Sequence, residues 1–249
     1  MIWSRIGLGC GPLGAMPESD AVRLVHAALD LGVTVFDTAP SYGASESYLG
    51  RALRGRDAIV ITKGGYGVPG CADWTSACIE RSVDRAREVL GRLDVFLLHS
   101  CPPRDDLIEP LVVAREAGKV HAIGYSGDGE GLAWAMRTGA FDVCECTVNV
   151  VDQRALAFAG ETNKRMLAKR VLGRAPVHRD RMRMLERAPS VEEAIRFAAW
   201  SGVDCALVGT TRADHLEIAV SAARKGPLEN ASELRRLFDE RGATWDGVV

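Results

Sequence analysis

Residues 33–43 of the chain read VTVFDTAPSYG, a short apolar run that ends at Asp37 and opens into a loop of small residues. Alternating β-branched and aromatic residues are typical of a strand, and the proline and glycine that follow favour its end. The same order of apolar run, loop and longer amphipathic segment recurs along the chain. This stretch therefore indicates one unit of a repeated β–loop–α arrangement.

Eight apolar runs fit this arrangement. They are Ile6–Leu8, Val33–Asp37, Ile59–Thr62, Val95–Leu98, Ala122–Tyr125, Val143–Thr147, Met166–Lys169 and Cys205–Val208. Between them lie predicted helices such as Ala21–Leu31, Cys78–Leu90 and Val191–Trp200, the last with Ser190 as its N-cap. Such an alternation predicts parallel strands joined by crossover helices. The 249 residues match the ~250 typical of a (β/α)8 TIM barrel, so we predict a single α/β barrel domain over residues 1–249.

Three segments need separate interpretation. Gln153–Arg170 has to hold a helix and a strand in little space, so its helix is expected to be short. Gly173–Pro189 is rich in arginine without an apolar period and is predicted to be an irregular loop on the C-terminal face, solvated or in contact with an anionic ligand. Leu228–Arg241 is predicted to be a last helix packed on the barrel exterior, followed by Trp245.

Composition excludes several classes of protein. With 47% hydrophobic and 26% charged residues, the chain is neither disordered nor collagen-like. With 31 basic and 33 acidic residues, the chain lacks the excess of basic residues that is typical of a nucleic-acid binder. No apolar stretch approaches the ~20 residues of a membrane span, and Met1–Arg5 lacks a signal-peptide layout. The seven cysteines have no framework spacing, so we expect reduced thiols in a cytoplasmic protein with neither nucleic acid nor membrane as partner.

Polar residues follow three consecutive predicted strands. Asp37, Lys63 and His99 end the second, third and fourth strands, at intervals of about one βα repeat. The C-terminal strand ends of such a barrel meet at one mouth, where its chemistry collects. Tyr42 lies five residues beyond Asp37 and can reach back over the site from its loop. Each residue singly also fits a structural role, but structural needs do not predict the joint placement.

These four side chains have the chemistry of a pocket that binds and polarises a carbonyl group. A free tyrosine has a pKa of ~10, which a neighbouring ammonium lowers. Lys63 supplies that ammonium, Asp37 is its expected partner, and His99 can donate a hydrogen bond to a carbonyl oxygen. Nothing in the foursome donates two electrons, so a hydride has to come from a cofactor.

Several short motifs occur in a fixed order along the chain, at these four residues and beyond them. They are Gly7-Leu8-Gly9, Phe36 to Gly43 with Ser45-Glu46 and Leu49-Gly50, Thr62-Lys63, Asp94 to His99, Gly118-Lys119-Val120 with Ile123 to Ser126, Asn149 with Asp152-Gln153, and Gly209 to Arg212 with His215 to Glu217. Together they resemble the aldo-keto reductase superfamily, in a short bacterial-type form. The resemblance implies a barrel that binds NADPH across its mouth and reduces aldehydes or ketones. It implies Tyr42 as general acid, Lys63 and Asp37 as the pair that sets its pKa, and His99 as the residue that orients the carbonyl.

The cofactor residues are expected at two places. Gly209, Thr210, Thr211 and Arg212 follow the last strand and precede a helix, whose N-terminus offers amide donors to phosphate. Arg212 suits the 2′-phosphate of NADPH, with a surface ion pair to Asp214 or Glu217 as the alternative. By resemblance Glu217 touches the adenine, and Ser126 and Glu145 lie at the nicotinamide end.

Two departures from the family pattern lie at the nicotinamide end. Gly127 stands where the family usually has asparagine, and Glu145 where it usually has glutamine. Tyr66 and Trp74, in the loop after the third strand, are expected to form an apolar wall of the substrate pocket. Cys144 and Cys146 alternate along one strand and are expected to pack in the core, so no metal site is predicted.

The leading hypothesis is an NADPH-dependent reductase of a small carbonyl compound, active as a monomer or weak homo-oligomer. Two alternatives stay open. Gly127 and Glu145 are also compatible with a redox-neutral enzyme, an isomerase, dehydratase or epimerase. A non-catalytic, nucleotide-sensing subunit is the third possibility, disfavoured by the intact Tyr42 and Lys63.

Overall fold

The computed structural model describes residues 2–173, 176–183, 185 and 187–241 and shows a closed barrel of eight parallel strands in sequential order. The strands are β1 (Ile6–Gly9), β2 (Val35–Asp37), β3 (Ile59–Gly64), β4 (Val95–His99), β5 (Ala122–Ser126), β6 (Val143–Thr147), β7 (Arg165–Lys169) and β8 (Cys205–Gly209). β8 pairs with β1 and closes the sheet. The predicted (β/α)8 barrel is confirmed.

Helices surround the barrel and supply its crossovers. They are α1 (Glu18–Asp30), α2 (Ser45–Ala52), α3 (Ser76–Leu90), α4 (Glu109–Glu116), α5 (Gly129–Arg137), α6 (Pro176–Arg183), α7 (Val191–Ala199), α8 (Ala213–Arg224) and α9 (Ala231–Arg241). Between β6 and β7 the helical part is one 3-10 segment, Arg154–Phe158, which confirms the short helix expected there.

Side-chain alternation along the strands separates two cores. One apolar cluster fills the barrel interior and consists of Val35, Ile59, Ile61, Val95, Leu97, Val143, Leu167, Cys205 and Leu207. The intervening strand residues, with Cys144 and Cys146 among them, belong to the larger cluster between sheet and helices. Side chains alternate with period two, so the residue two positions after an interior apolar residue also faces the interior. Near the C-terminal ends of β2 to β7 these positions hold polar residues, whereas β1 and β8 have Gly9 and Gly209.

Part of the segment after β7 differs from the irregular loop that its composition predicts. The prediction is wrong for Pro176–Arg183, which forms helix α6. A polar anchor holds it: His178 Nε2 lies 3.2 Å from Asp152 Oδ2, and Arg181 donates to the carbonyl of Val151 at 3.3 Å. Because these contacts are polar, the helix lacks the apolar period by which sequence reasoning identifies helices.

The last helix covers the outside of the barrel, as expected. Gln153 donates to the carbonyl of Leu234 in α9 at 2.9 Å, and Arg235 donates to the carbonyl of Ser201 at 2.8 Å. Trp245 lies outside the described residues. Within the described part of the chain, no helix combines the length and the apolar character needed to cross a membrane.

The N-terminus of α7 gives a test of local stability. The Ser190 hydroxyl accepts from the Glu193 amide, and the Glu193 carboxylate accepts from the Ser190 amide, which forms a complete capping box. Ser190→Ala should lower the free energy of unfolding by about 1 kcal/mol, since it leaves amide donors of the first turn unsatisfied. Urea denaturation measures the change. Ser221→Ala, an exposed site within α8, is the control and should leave stability nearly unchanged; equal effects at both sites would contradict the capping argument.

Candidate active site

Tyr42 is held over the barrel mouth by close backbone packing. A Cβ atom at Gly14 would lie 1.7 Å from the Tyr42 carbonyl oxygen, so only glycine fits there. Gly43 follows with a φ of +61°, a conformation that glycine adopts readily. Gly14 lies in the 3-10 helix Gly11–Ala15 that follows β1. The first two βα loops are therefore locked together, and this contact fixes the path of the tyrosine loop.

The Ser45-Glu46 motif is structural. The Ser45 hydroxyl donates to the Cys10 carbonyl at 2.8 Å and lies 2.8 Å from the Thr38 hydroxyl. Glu46 is buried, accepts from the Thr62 hydroxyl at 2.8 Å and forms an ion pair with Arg85 at 2.7 Å. These bonds attach α2 to the ends of β2 and β3, next to the site.

Lys63 lies at the centre of the cluster, inside the barrel. Its side chain is 0% exposed, and its ammonium lies 2.5 Å from Asp37 Oδ1. It also donates to the Thr38 carbonyl at 3.1 Å, and it lies 5.3 Å from the centroid of the Tyr42 ring. The structure therefore brings Asp37, Lys63 and Tyr42 together as the strand-end argument predicts.

The electrostatics of this trio differ from the expectation in one respect. Burial lowers the pKa of Lys63, but Asp37 and Glu145 outweigh it and hold that pKa above its ordinary value. Burial raises the pKa of Tyr42 to about 12, because the lowering effect of Lys63 is opposed also by the two carboxylates. The expected net lowering of the tyrosine pKa is therefore not found.

His99 joins the cluster at the end of β4. Its ring lies edge-on to that of Tyr42, with centroids 6.4 Å apart, and its Nδ1 lies 3.0 Å from the Tyr66 hydroxyl. Burial and the nearby ammonium of Lys63 lower the pKa of His99 to about 4, against the opposing effect of Glu145. The imidazole is therefore neutral at pH 7.

Tyr66 and Trp74 pack side by side near this histidine. Their ring centroids are 5.3 Å apart, and the Tyr66 ring lies 5.5 Å from that of His99. Gly65 makes this packing possible, because a Cβ atom there would lie 2.5 Å from the indole of Trp74. The two aromatic residues thus form one continuous apolar surface beside the cluster.

Glu145 belongs to the Lys63 cluster. Its Oε2 lies 3.2 Å from Lys63 Nζ, and its Oε1 accepts from the Ser126 hydroxyl at 3.1 Å. The Ser126 hydroxyl in turn accepts from Lys169 Nζ at 3.4 Å. Both side chains expected at the nicotinamide end are thus bound to each other and to two lysines.

Lys169 is a site residue that the sequence reasoning missed. It ends β7 two positions after the interior Leu167, and its side chain is only 17% exposed. The signal was present, since Lys63 and His99 follow interior residues in the same way. Its ammonium also lies 3.9 Å from Asp128 Oδ2.

Steric contact with a neighbouring side chain explains the glycine at position 127. A Cβ atom there would lie 2.4 Å from the hydroxyl oxygen of Tyr125, which donates to the Cys101 carbonyl at 3.2 Å. The tyrosine is buried between β5 and the surrounding helices and packs on Trp134, with ring centroids 5.9 Å apart. The neighbouring tyrosine thus excludes a larger residue where the family usually has asparagine.

The loop after β8 lies at the same end of the barrel. Gly209 pairs with Gly9 of β1, which pairs with Asp37 of β2. The Thr210 hydroxyl accepts from the Arg212 amide at 3.1 Å, and α8 begins at Ala213 as expected. The side chains of Thr211, Arg212 and Glu217 are exposed.

Arg212 has a surface partner in this structure. Its guanidinium forms a bidentate pair with Asp214, with distances of 3.0 and 2.5 Å. This is one of the two roles that the sequence allows, and the pair is exposed on both sides. An exposed pair is worth little energetically, so an incoming phosphate can compete for the arginine.

The donor set fits a nicotinamide dinucleotide at its phosphate end. An exposed guanidinium and the first amides of a twelve-residue helix offer the donors that phosphate requires. At the opposite end Ser126 offers a hydroxyl, and Glu145 offers a carboxylate where the family usually has an amide. Among residues 2–173, 176–183, 185 and 187–241, no three histidine, cysteine or acidic side chains are grouped to hold a metal ion.

Comparison with known proteins identifies relatives of this barrel. Residues 5–159 match the model of the Aldo/keto reductase family. The aldo-keto reductase YhdN of Bacillus subtilis is 33% identical over 147 residues, which cover 49% of this chain and 43% of that protein. L-galactose dehydrogenase of Arabidopsis thaliana is 33% identical over 143 residues, which cover 50% and 44%. The matched region is therefore less than half of the length of each relative.

Solved structures resemble the chain over most of its length. A putative aldo-keto reductase of Pseudomonas aeruginosa has a TM-score of 0.71 at 29% identity, with 89% of this chain and 91% of that chain covered. The holo form of an aldo-keto reductase from Bacillus halodurans has a TM-score of 0.80 at 23% identity, with 94% and 92% covered. The second likeness concerns the fold. The family match over residues 5–159 and the barrel agree: the chain belongs to the aldo-keto reductase family.

Proposed function

We propose that this protein reduces a small aldehyde or ketone to the alcohol with NADPH. One observation carries the proposal: in a member of a family of oxidoreductases, Asp37, Tyr42, Lys63 and His99 converge at the barrel mouth. The aromatic surface of Tyr66 and Trp74 beside them suits the apolar part of a small substrate.

Tyr42 is the proposed proton donor. Its pKa of about 12 keeps the phenol protonated throughout the neutral range, while a developing alkoxide is a stronger base. When bound, the reduced nicotinamide supplies the hydride that no side chain can provide. The ammonium of Lys63 stabilises the phenolate that remains after proton transfer.

His99 is proposed to orient the carbonyl oxygen. A neutral imidazole carries one ring proton, and the Tyr66 hydroxyl contacts Nδ1 at 3.0 Å. When that hydroxyl donates to Nδ1, the ring proton lies on Nε2 and is free to donate to the substrate. Tyr66 then acts through His99 as well as forming part of the pocket wall.

The cofactor is proposed to extend from the mouth to the loop Gly209, Thr210, Thr211 and Arg212, with Glu217 near the adenine. Arg212 would leave Asp214 and contact the 2′-phosphate, which NADH lacks. Ser126 and Glu145 remain the proposed contacts at the nicotinamide end. The predicted cytoplasmic location, the single domain over residues 1–249 and the monomeric or weakly oligomeric state stay predictions.

The Ser126–Glu145 hydrogen bond favours a second candidate, a redox-neutral enzyme on the same scaffold. A hydroxyl that donates to a carboxylate at 3.1 Å is not free to donate to a carboxamide. An isomerase, dehydratase or epimerase would use the Tyr42–Lys63 pair for proton transfer alone. Binding of nicotinamide nucleotides separates the two candidates.

Tyr42→Phe tests the proton donor. Loss of a general acid should lower kcat for carbonyl reduction by about 10²–10⁴-fold, with NADPH affinity little changed. Tyr48→Phe, which removes the hydroxyl of a half-buried tyrosine on α2, is the control and should retain activity. Steady-state NADPH oxidation measures kcat, and full activity in Tyr42→Phe would refute the assignment.

Arg212→Ala tests the cofactor assignment. Loss of a charge-assisted contact of about 1.5–3 kcal/mol should weaken NADPH binding by about 10- to 100-fold and leave NADH binding nearly unchanged. Quenching of tryptophan fluorescence during titration measures both affinities. Arg224→Ala, at the opposite end of α8, is the control. If the unmodified protein binds neither nucleotide, the redox-neutral candidate takes precedence.

Acid titration tests the neutral histidine. The His99 pKa of about 4 lies below its ordinary 6.5, so the unfolded chain takes up a proton in this window that the folded chain does not. Stability due to this residue is therefore complete above pH 6.5 and decreases as the pH falls towards 4. NMR of the imidazole protons, assigned with His99→Gln, should show a midpoint near 4. A midpoint at or above 6.5 would contradict the neutral, hydrogen-bonded ring.

A further inference from the structure

Two carboxylates contact the same buried ammonium. Asp37 Oδ1 lies 2.5 Å and Glu145 Oε2 lies 3.2 Å from Lys63 Nζ, in a pocket where all three side chains are at most 5% exposed. Among these three buried groups in direct contact, two negative charges against one positive charge leave an excess of one. An unbalanced buried charge is costly, and such groups usually take up a proton instead.

One oxygen of this cluster has no hydrogen-bond donor. Glu145 Oε1 accepts from Ser126, but Oε2 is buried and is without a hydrogen-bond partner among the described residues. Its contact with Lys63 is an ion pair without hydrogen-bond geometry. A proton held between the carboxyl groups of Asp37 and Glu145 would supply the missing donor and remove the excess charge at the same time.

Lys63 is the one ammonium within ion-pair distance of either carboxyl group among the described residues. Lys169 lowers the pKa of Glu145 through its charge, but its ammonium contacts the Ser126 hydroxyl and lies 3.9 Å from Asp128 Oδ2, which Arg170 also approaches at 3.8 Å. The remaining titratable neighbours are the phenol of Tyr42, the neutral imidazole of His99 and the buried thiols of Cys10 and Cys205, none of which adds a positive charge at neutral pH.

The two carboxyl groups respond to these surroundings in opposite directions. Burial and the charge of Glu145 hold the pKa of Asp37 well above its ordinary value, against the effect of Lys63. Burial also raises the pKa of Glu145, but the ammonium groups of Lys63 and Lys169 outweigh it, so that this pKa lies below its ordinary value. Because the two carboxyl groups interact, the titration belongs to the pair.

We propose that Asp37 and Glu145 share one proton at neutral pH, which makes the carboxyl pair a proton reservoir for Tyr42. The sharing follows from the cluster alone, whereas the reservoir role rests on the proposed function. In each reduction, hydride adds to the carbonyl carbon and the Tyr42 O–H bond breaks as the alcohol O–H bond forms. The phenolate then takes a proton from Lys63, and Lys63 takes one from the carboxyl pair. A solvent proton (H+) is taken up by the pair after the alcohol leaves, so each reduction consumes one proton from bulk solvent.

Infrared spectroscopy of the protein without nucleotide tests the sharing. At pH 7 the unmodified protein should show the C=O stretch of one protonated carboxyl group. Asp37→Asn and Glu145→Gln should each abolish this band, because the single carboxylate that remains is neutralised by Lys63. Asp152→Asn, which removes a buried carboxylate paired with Arg154 and His178, is the matched control and should leave the band in place. Absence of the band from the unmodified protein, or its persistence in either variant of the pair, overturns the proposal.

A second measurement does not depend on variants that fold. In unmodified protein with 13C-labelled aspartate and glutamate carboxyl groups, NMR should show one carboxyl resonance that stays protonated at pH 7. Two ionised resonances in its place would overturn the proposal. Neither spectroscopic result requires a substrate, so a failed reductase assay leaves the shared proton intact and counts only against the proposed function.

The reservoir role has its own readout in the pH profile. As the pH rises, kcat of the unmodified enzyme should fall with the loss of one proton from the pair. In Glu145→Gln the fall should be absent over the same range, because Asp37 is already ionised. A purely structural role of Glu145 would change the magnitude of kcat and leave the shape of the profile as it is. Identical profiles would therefore overturn the reservoir role.

Discussion

The buried ammonium of Lys63 is the interaction on which the site depends. A charge with no exposed surface inside a barrel is stable only when its partners are fixed, and here they come from different strands. Asp37 from β2 and Glu145 from β6 contact it from separate positions in the ring. Tyr42 lies over it because the loop after β2 is locked to the loop after β1 through Gly14. Removing the lysine would leave two carboxylates facing each other in a dry interior.

The barrel makes this arrangement possible through its alternation. Each strand that contributes to the site first places apolar residues inside the barrel and then, one step further along the same face, a polar residue at the mouth. The apolar side chains below the site exclude water. Interactions between charges at the site are stronger as a result. In the same apolar surroundings, protonation of a carboxylate costs less free energy than leaving its charge unpaired. The alternation of side chains along the strands therefore determines both the apolar packing of the interior and the position of the polar residues at the mouth.

The fold and the convergence of Asp37, Tyr42, Lys63 and His99 were predictable because both follow local rules. Eight apolar runs gave the strands, and polar residues directly after three of them gave Asp37, Lys63 and His99. Contacts between distant strands were not predictable in this way: nothing near Glu145 in the sequence indicates that its carboxylate meets Lys63. Helix α6 escaped prediction because its anchor, Asp152 with His178, is polar and its sequence has no apolar period. Lys169 follows the interior Leu167 as Lys63 follows Ile61, so the strand-end rule also identifies this residue.

The two departures from the family pattern differ in physical kind. Gly127 is explained by sterics, since the Tyr125 hydroxyl occupies the space that a side chain would need. Glu145 changes the charge of the site, and an amide in its place would leave Lys63 and Asp37 as a balanced pair. The carboxylate adds a negative charge that accepts a hydrogen bond from Ser126 and is stabilised by the nearby ammonium of Lys169. Three strands, β5, β6 and β7, thus cooperate around one substituted residue. The polar neighbours of the Glu145 carboxylate thus lie on the two adjacent strands and, through Lys63, on β3.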